Sequence, residues 1–164
     1  MLRILVDRIV KAEDVVIKET KPVRLAEIRA VAAGLAPEHI SPVFLRLSPK
    51  LISHLRQADA RRGMLVQYFD KPEEDGSVGV HVGYEIGQQP VPASDEVEIT
   101  DLPVIQVASL LHRGGMETVV RVYRSLIGWI ENEGYRLAGN SRELYHEMGA
   151  DGPRVTELQL PITR

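Results

Sequence analysis

Residues 142–162 read Arg142-Glu143-Leu144-Tyr145-His146-Glu147-Met148-Gly149-Ala150-Asp151-Gly152-Pro153-Arg154-Val155-Thr156-Glu157-Leu158-Gln159-Leu160-Pro161-Ile162. Two strand-like runs flank a Gly/Asp/Pro turn, a pattern that predicts a β-hairpin. Strict alternation puts Thr156, Leu158, Leu160 and Ile162 on one face of the second strand and Val155, Glu157 and Gln159 on the other. Pattern alone leaves Glu157 open to two readings. It is either a solvated strand glutamate, or a carboxylate that, with Glu143 and Tyr145, receives a cationic, greasy small molecule through charge and ring faces together.

Upstream of the hairpin, Met116, Val119, Val120, Tyr123, Leu126, Ile127 and Ile130 fall at helical spacing, and Gly134 ends the run. Before that helix, Val97 to Ala108 reads as strand, proline and strand, with Pro103 between them. The first half follows the same plan. Strand-like runs surround Pro22; Val43, Leu47, Leu51, Ile52 and Leu55 predict a helix from about Pro42 to Arg62, delayed to Ser48 if Pro49 opens it. Met64–Asp70 and Val78–Ile86 then form a hairpin across a loop at 71–77. Laying Pro22 on Pro103, Tyr68 on Tyr145 and His81 on Glu157 gives spacings of 81, 77 and 76, an internal duplication with modest loop drift.

The fold class expected is α+β: duplicated strand-helix-strand-strand units forming one antiparallel sheet, with two helices on one side and a central ligand groove. Repeat one covers about 14–87 and repeat two about 95–164. A groove between repeats would be lined by Tyr68, Tyr84, His81, Trp129, Tyr145 and Glu157. Trp129, the single tryptophan, reads equally as a ring at the core edge or a ring facing ligand. Leu2 to Ala12 carries a helical stripe, so residues 1–13 are expected to be an amphipathic helix, packed on the domain or ending a linker.

Composition excludes several classes. Twenty Lys+Arg against 23 Asp+Glu give a net charge of −3, without the basic face that non-specific nucleic-acid binding needs. With no cysteine there is no disulfide scaffold, thiol nucleophile or cysteine zinc site. No H-E-x-x-H, phosphate-binding glycine loop or G-x-S-x-G elbow occurs, so neither metal nor cofactor is expected. No run approaches the roughly 20 apolar residues of a membrane span, and the N-terminus lacks a signal-peptide pattern, which points to the cytoplasm and to no membrane partner.

One ordered set of fragments remains: Leu111-His112-Arg113-Gly114-Gly115; Tyr123 through Leu126 to Trp129; Arg142-Glu143-Leu144-Tyr145; and Thr156-Glu157-Leu158-Gln159-Leu160-Pro161. Together they resemble the gyrase-inhibitor-like (GyrI-like) small-molecule-binding domain, which is also the effector-binding half of many bacterial regulators of the mercury-resistance and arabinose types. The resemblance covers about Glu13 to Ile162. It implies a groove for amphipathic, often cationic and aromatic compounds, with a buried glutamate at Glu157 and a tyrosine at Tyr145. Gly115-Met116-Glu117 stands where the family often has Pro-Tyr, so one aromatic wall is missing, and the loop at Ala150 to Pro153 is short.

Three functions follow from that resemblance. The chain is the multidrug-type small-molecule sensor of a transcription regulator, contacting DNA only through a separate DNA-binding domain. Or it is a free-standing binder, which its opening Met1 allows. Or it is a cofactor-independent hydrolase of activated electrophiles, with Glu157 as general base and Tyr145 as proton donor. His112 is either a base or a structural hydrogen-bond former at a strand end, and His81 is a candidate pocket residue.

Overall fold

The computed structural model describes residues 14–164, so the helix expected at 1–13 lies outside the described residues. The chain order is β1 (Val16–Glu19), β2 (Val23–Ala32), α1 (Pro37–Gln57), β3 (Leu65–Phe69), β4 (Val78–Glu85), β5 (Glu98–Leu102), β6 (Gln106–Arg113), α2 (Val119–Asn132), β7 (Arg136–Leu137), β8 (Arg142–Gly149) and β9 (Gly152–Thr163). These elements gather into two compact units. One holds the described residues through Thr20 together with Ile105–Arg164; the other is Lys21–Val104. The class is α+β, and every strand pairing within the units is antiparallel.

The compact units are not the halves of the sequence. β1 leaves its own half to pair with β6, and β5 leaves the second half to pair with β2. Each change of unit falls beside a proline, Pro22 or Pro103, which cannot donate to a continuing ladder. Thr20 and Ile105 then clasp reciprocally: Thr20 N donates to the Ile105 carbonyl at 2.8 Å, and Ile105 N to Thr20 Oγ1 at 3.0 Å. Among the described residues each unit therefore has four main strands and one α-helix, ordered β3-β4-β2-β5 in one and β1-β6-β9-β8 in the other, with β7 added along the end of β9.

In the unit of residues 21–104, α1 buries Ile40, Val43, Leu47, Leu51 and Leu55 and packs on β2 and β4. The helix starts at Pro37, a turn before the expected Pro42, and runs through both Pro42 and Pro49. Those prolines are seven residues apart, share the exposed face, and free carbonyls at Glu38 and Leu45 that water can satisfy. β4 alternates Val78, Val80 and Val82, all fully buried, with Gly79, His81 and Gly83 on the opposite face.

In the other unit, Val119, Val122, Leu126 and Ile130 of α2 lie on Ala108 and Leu110 of β6 and on Leu158, Leu160 and Ile162 of β9. The α-helix begins at Val119, after a 3₁₀ turn over Met116–Thr118. It ends where Gly134, at φ 83°, lets Tyr135 N return to the Ile130 carbonyl at 3.1 Å. Glu157, Gln159 and Ser109 occupy the sheet face away from α2.

Candidate functional site

Glu157 lies diagonally across the β6–β9 ladder from Ser109, because Leu111 is registered with Glu157 and Ser109 with Gln159. Glu157 is 6% exposed, and its carboxylate accepts four donors. Lys18 Nζ stands 2.8 Å from Oε2; Ser109 Oγ and Gln159 Nε2 donate to the same oxygen at 2.8 and 2.7 Å; His146 Nε2 lies 2.9 Å from Oε1. His146 follows Leu144, the residue registered with Glu157, by two positions, so strand alternation brings its ring to this face. Burial pushes the Glu157 carboxyl up, but Lys18, Gln159, Ser109 and His146 outweigh it and hold the group at about 2. A cavity of about 730 Å³ opens beside it, with Val16 and Leu111 as apolar wall and Arg113 as a cation on the Glu157 face, and it is lined further by Val122 and Arg121 of α2.

The carboxylate set among rings is a different one. Glu143 accepts the phenol of Tyr123 from α2 at 2.8 Å and that of Tyr145 at 2.7 Å. Glu143 is registered with Leu158 and Tyr145 with Thr156, which puts both on the α2 side of the sheet. Burial, and then the negative charge of Glu143, push both phenols well above their ordinary value.

The unit of residues 21–104 builds a third cluster at Glu27, which is 3% exposed. Tyr68 donates to Glu27 Oε2, Thr100 Oγ1 donates to Oε1 at 3.0 Å, and His81 Nδ1 lies 3.1 Å from Oε1. His81 Nε2 meets Asp70 Oδ1 at 2.8 Å, and Arg29 Nε donates to the other oxygen of Asp70 at 2.9 Å. The Tyr68 ring stacks on the imidazole with centroids 4.2 Å apart and planes 11° from parallel. Burial pulls His81 down, yet the two carboxylates raise it above its usual value, while Glu27 and Asp70 are lowered despite burial. An imidazolium with both nitrogens on carboxylates is the state this geometry favours.

The clusters at Glu157 and Glu27 occupy the same register positions. His81 is diagonal to Glu27 across β2–β4 as Glu157 is diagonal to Ser109 across β6–β9. Thr100 of β5 and Lys18 of β1 hold matching places on the exchanged strands, opposite Leu25 and Val107. One duplicated scaffold thus carries an acid in each cluster, at different corners. Among the described residues, no group of three or more His, Asp or Glu is arranged to hold a metal ion, and no helix is long and apolar enough to cross a membrane.

Residues 13–163 match the GyrI-like small-molecule-binding domain. The chain belongs to this family. The C-terminal domain of EcmrR superposes with a TM-score of 0.75 at 17% identity, covering 92% of this chain and 97% of that one. SAV2435 bound to tetraphenylphosphonium gives a TM-score of 0.65 at 15% identity over 91% and 93% of the two chains. A structure described as a hydrolase encoded by lin2189 from Listeria innocua gives 0.58 at 10% identity over 92% of each. At these identities the likeness is one of fold. No protein of curated function matches the sequence significantly.

In this GyrI-like domain the residues singled out from sequence fall into separate places. Glu157 and His112 line one cavity; His112 Nε2 lies 3.0 Å from both the Gly115 carbonyl and Thr118 Oγ1, tying β6 to the entry of α2. Tyr145 is on the other face from Glu157, so the expected general base and proton donor are not paired; of the rings expected around Glu157, Tyr145 stands at Glu143 instead, beside Tyr123. Trp129 packs at the edge of the α2 core, its buried Nε1 without a partner among the described residues. Tyr68 and His81 meet at Glu27. Tyr84 is elsewhere, in register with Ala26 on the valine face, with the Arg62 guanidinium 5.3 Å from its ring centroid. Sequence reasoning missed Glu27, Lys18, Ser109, Tyr123 and His146 as site residues. His81 between Gly79 and Gly83 was the available signal, since glycines on either side of a polar ring mark a face that other groups approach closely: a Cβ on Gly79 would run into Asp70 and Arg29.

Proposed function

We propose that this GyrI-like domain is the small-molecule-sensing, effector-binding part of a bacterial transcription regulator, that it takes amphipathic organic cations, and that Glu157 reads their charge. The observation carrying this reading is the ionised, nearly buried Glu157 carboxylate beside a cavity of about 730 Å³, a size suited to a small organic ligand. A lipophilic cation reaching it exchanges water for an apolar wall while keeping a carboxylate partner. Two relatives of the same fold support the reading: SAV2435, solved with tetraphenylphosphonium, and EcmrR, solved in a DNA complex where the alignment spans 99% of this chain and 67% of that one. DNA contact belongs to a separate DNA-binding domain in this proposal.

Titration with tetraphenylphosphonium or rhodamine 6G tests it. Micromolar affinity is expected, and Glu157→Gln should weaken these cations more than neutral aromatic analogues. Equal weakening of both would show that Glu157 does not read charge.

A further inference from the structure

Lys18 and Glu157 belong to strands that are not neighbours. β6 lies between β1 and β9, so about 9–10 Å of sheet separates the two backbones, and only an extended lysine stem running over Ser109 closes the gap to 2.8 Å. The other donors to Glu157 are built differently. Ser109 and Gln159 are neutral, buried and fixed on β6 and β9, and His146 reaches the other oxygen from β8 with a side chain 36% exposed, whereas Lys18 comes from a strand beyond β6 and its side chain is 42% exposed. Holding such a chain extended costs up to about 2 kcal/mol of rotamer freedom, and water around the exposed ammonium screens part of its attraction for the carboxylate. At Glu27 the corresponding carboxylate has no such loose partner: its cation is His81, fixed through both ring nitrogens, and the exposed Arg29 pairs with Asp70 instead.

We propose that Lys18 is a tethered counter-ion that fills the place of a ligand's cation at Glu157, so that an organic cation entering the cavity displaces it and loosens β1. This rests on the reading that Glu157 receives the ligand's charge. β1 is short and mostly exposed, with Val16 at 54%. It pairs with β6 over four residues, and Lys18 adds a side-chain tie from β1 to β9. Displacing the ammonium removes that tie, which couples occupancy of the cavity to the strand that follows directly on residues 1–13. Lys18 would also set selectivity: a cation must outcompete it, whereas a neutral molecule of the same shape need not.

The test is calorimetric titration of the full chain with tetraphenylphosphonium and with neutral triphenylphosphine oxide, comparing wild type, Lys18→Met, Lys18→Arg and Glu157→Gln. Lys18→Met should bind tetraphenylphosphonium about fivefold more tightly and triphenylphosphine oxide unchanged, while Lys18→Arg, which keeps the competing charge, stays near wild type. Amide hydrogens of Val16–Glu19 should exchange faster when tetraphenylphosphonium binds wild type. Unchanged or weaker cation binding by Lys18→Met, with wild type binding and Glu157→Gln impaired, overturns the tethered counter-ion and leaves the charge-reading site standing. Unaltered exchange in β1 overturns the coupling. Absence of cation binding by both wild type and Lys18→Met overturns the counter-ion and the cation site together.

Discussion

Tyr145 and Glu157 stand on opposite faces of the β8–β9 ladder, Tyr145 registered with Thr156 and Glu157 with Leu144. A substrate seated against one carboxylate oxygen of Glu157 therefore meets imidazole, hydroxyl and ammonium groups, not that phenol. Glu157, held at about 2, is also a feeble base at neutral pH. The expected outcome with activated esters and epoxides is the same turnover in Glu157→Gln as in wild type. A tenfold or larger drop in the variant would restore the Glu157-dependent hydrolase.

Glu143 holds the acid-phenol contacts instead. Tyr123→Phe and Tyr145→Phe each remove one donor from a carboxylate that is 3% exposed, so each should cost about 1.5–3 kcal/mol in denaturant unfolding. Because both phenols serve one carboxylate, the double variant should depart from the sum of the singles by at least ~0.5 kcal/mol. Strict additivity would mean that the two bonds do not share that charge.

Local pattern gave the elements because their causes are local. The buried stripe Val119, Val122, Leu126 and Ile130, the stop at Gly134 and the alternation of Thr156, Leu158, Leu160 and Ile162 are each decided by neighbours a few residues away. Spacing also matched His81 to Glu157, and the ladders agree. The companion match of Tyr68 to Tyr145 slipped by one: Tyr68 is registered with His81, whereas Leu144 is the residue registered with Glu157. The exchange of β1 and β5 was illegible, since nothing in Val16–Glu19 states that its partner is Ser109. For that reason Lys18 could not be read as a partner of Glu157, nor Thr100 as a partner of Glu27. Pro42 and Pro49 displaced the expected start of α1 because their cost depends on which face they occupy, and that is set by tertiary burial.

The Glu27, Asp70 and His81 network should give stability a definite pH window. His81 is raised from 6.5, so its contribution is complete below that value and is lost as pH rises through its folded value. Glu27 and Asp70 are lowered from 4.5 and 3.8, so theirs is complete above those values and is lost as pH falls through the folded ones. The network is therefore strongest between about pH 4.5 and 6.5. His81→Phe leaves a buried carboxylate without its cation and should cost about 3 kcal/mol at pH 6, and less toward pH 9, as wild type gives up the imidazolium with pH rising through the folded His81 value. Urea unfolding of both proteins at the two pH values measures this; a difference that does not shrink at pH 9 would mean that packing of the ring, not its charge, accounts for the loss.

The four donors on Glu157 lead to an acid-limb expectation of the same kind. In the unfolded chain this carboxyl titrates near its ordinary 4.5, and in the folded protein at about 2, so its contribution is complete above pH 4.5 and disappears as pH falls toward 2. Full linkage would give more than 3 kcal/mol; with Lys18 42% exposed, solvent screening reduces this to about 2 kcal/mol. Glu157→Gln keeps the shape but cannot be ionised, so wild type should lose about 2 kcal/mol relative to the variant between pH 5 and pH 2. Salt tests the origin of that loss. If the Lys18 ammonium is a principal cause, 0.5 M sodium chloride should shrink the wild-type advantage at pH 6, because screening acts on an ion pair with one exposed partner. If Ser109 and Gln159 supply nearly all of it, their short, buried, charge-neutral donors leave the advantage unchanged by salt, and the carboxylate is held by the sheet itself.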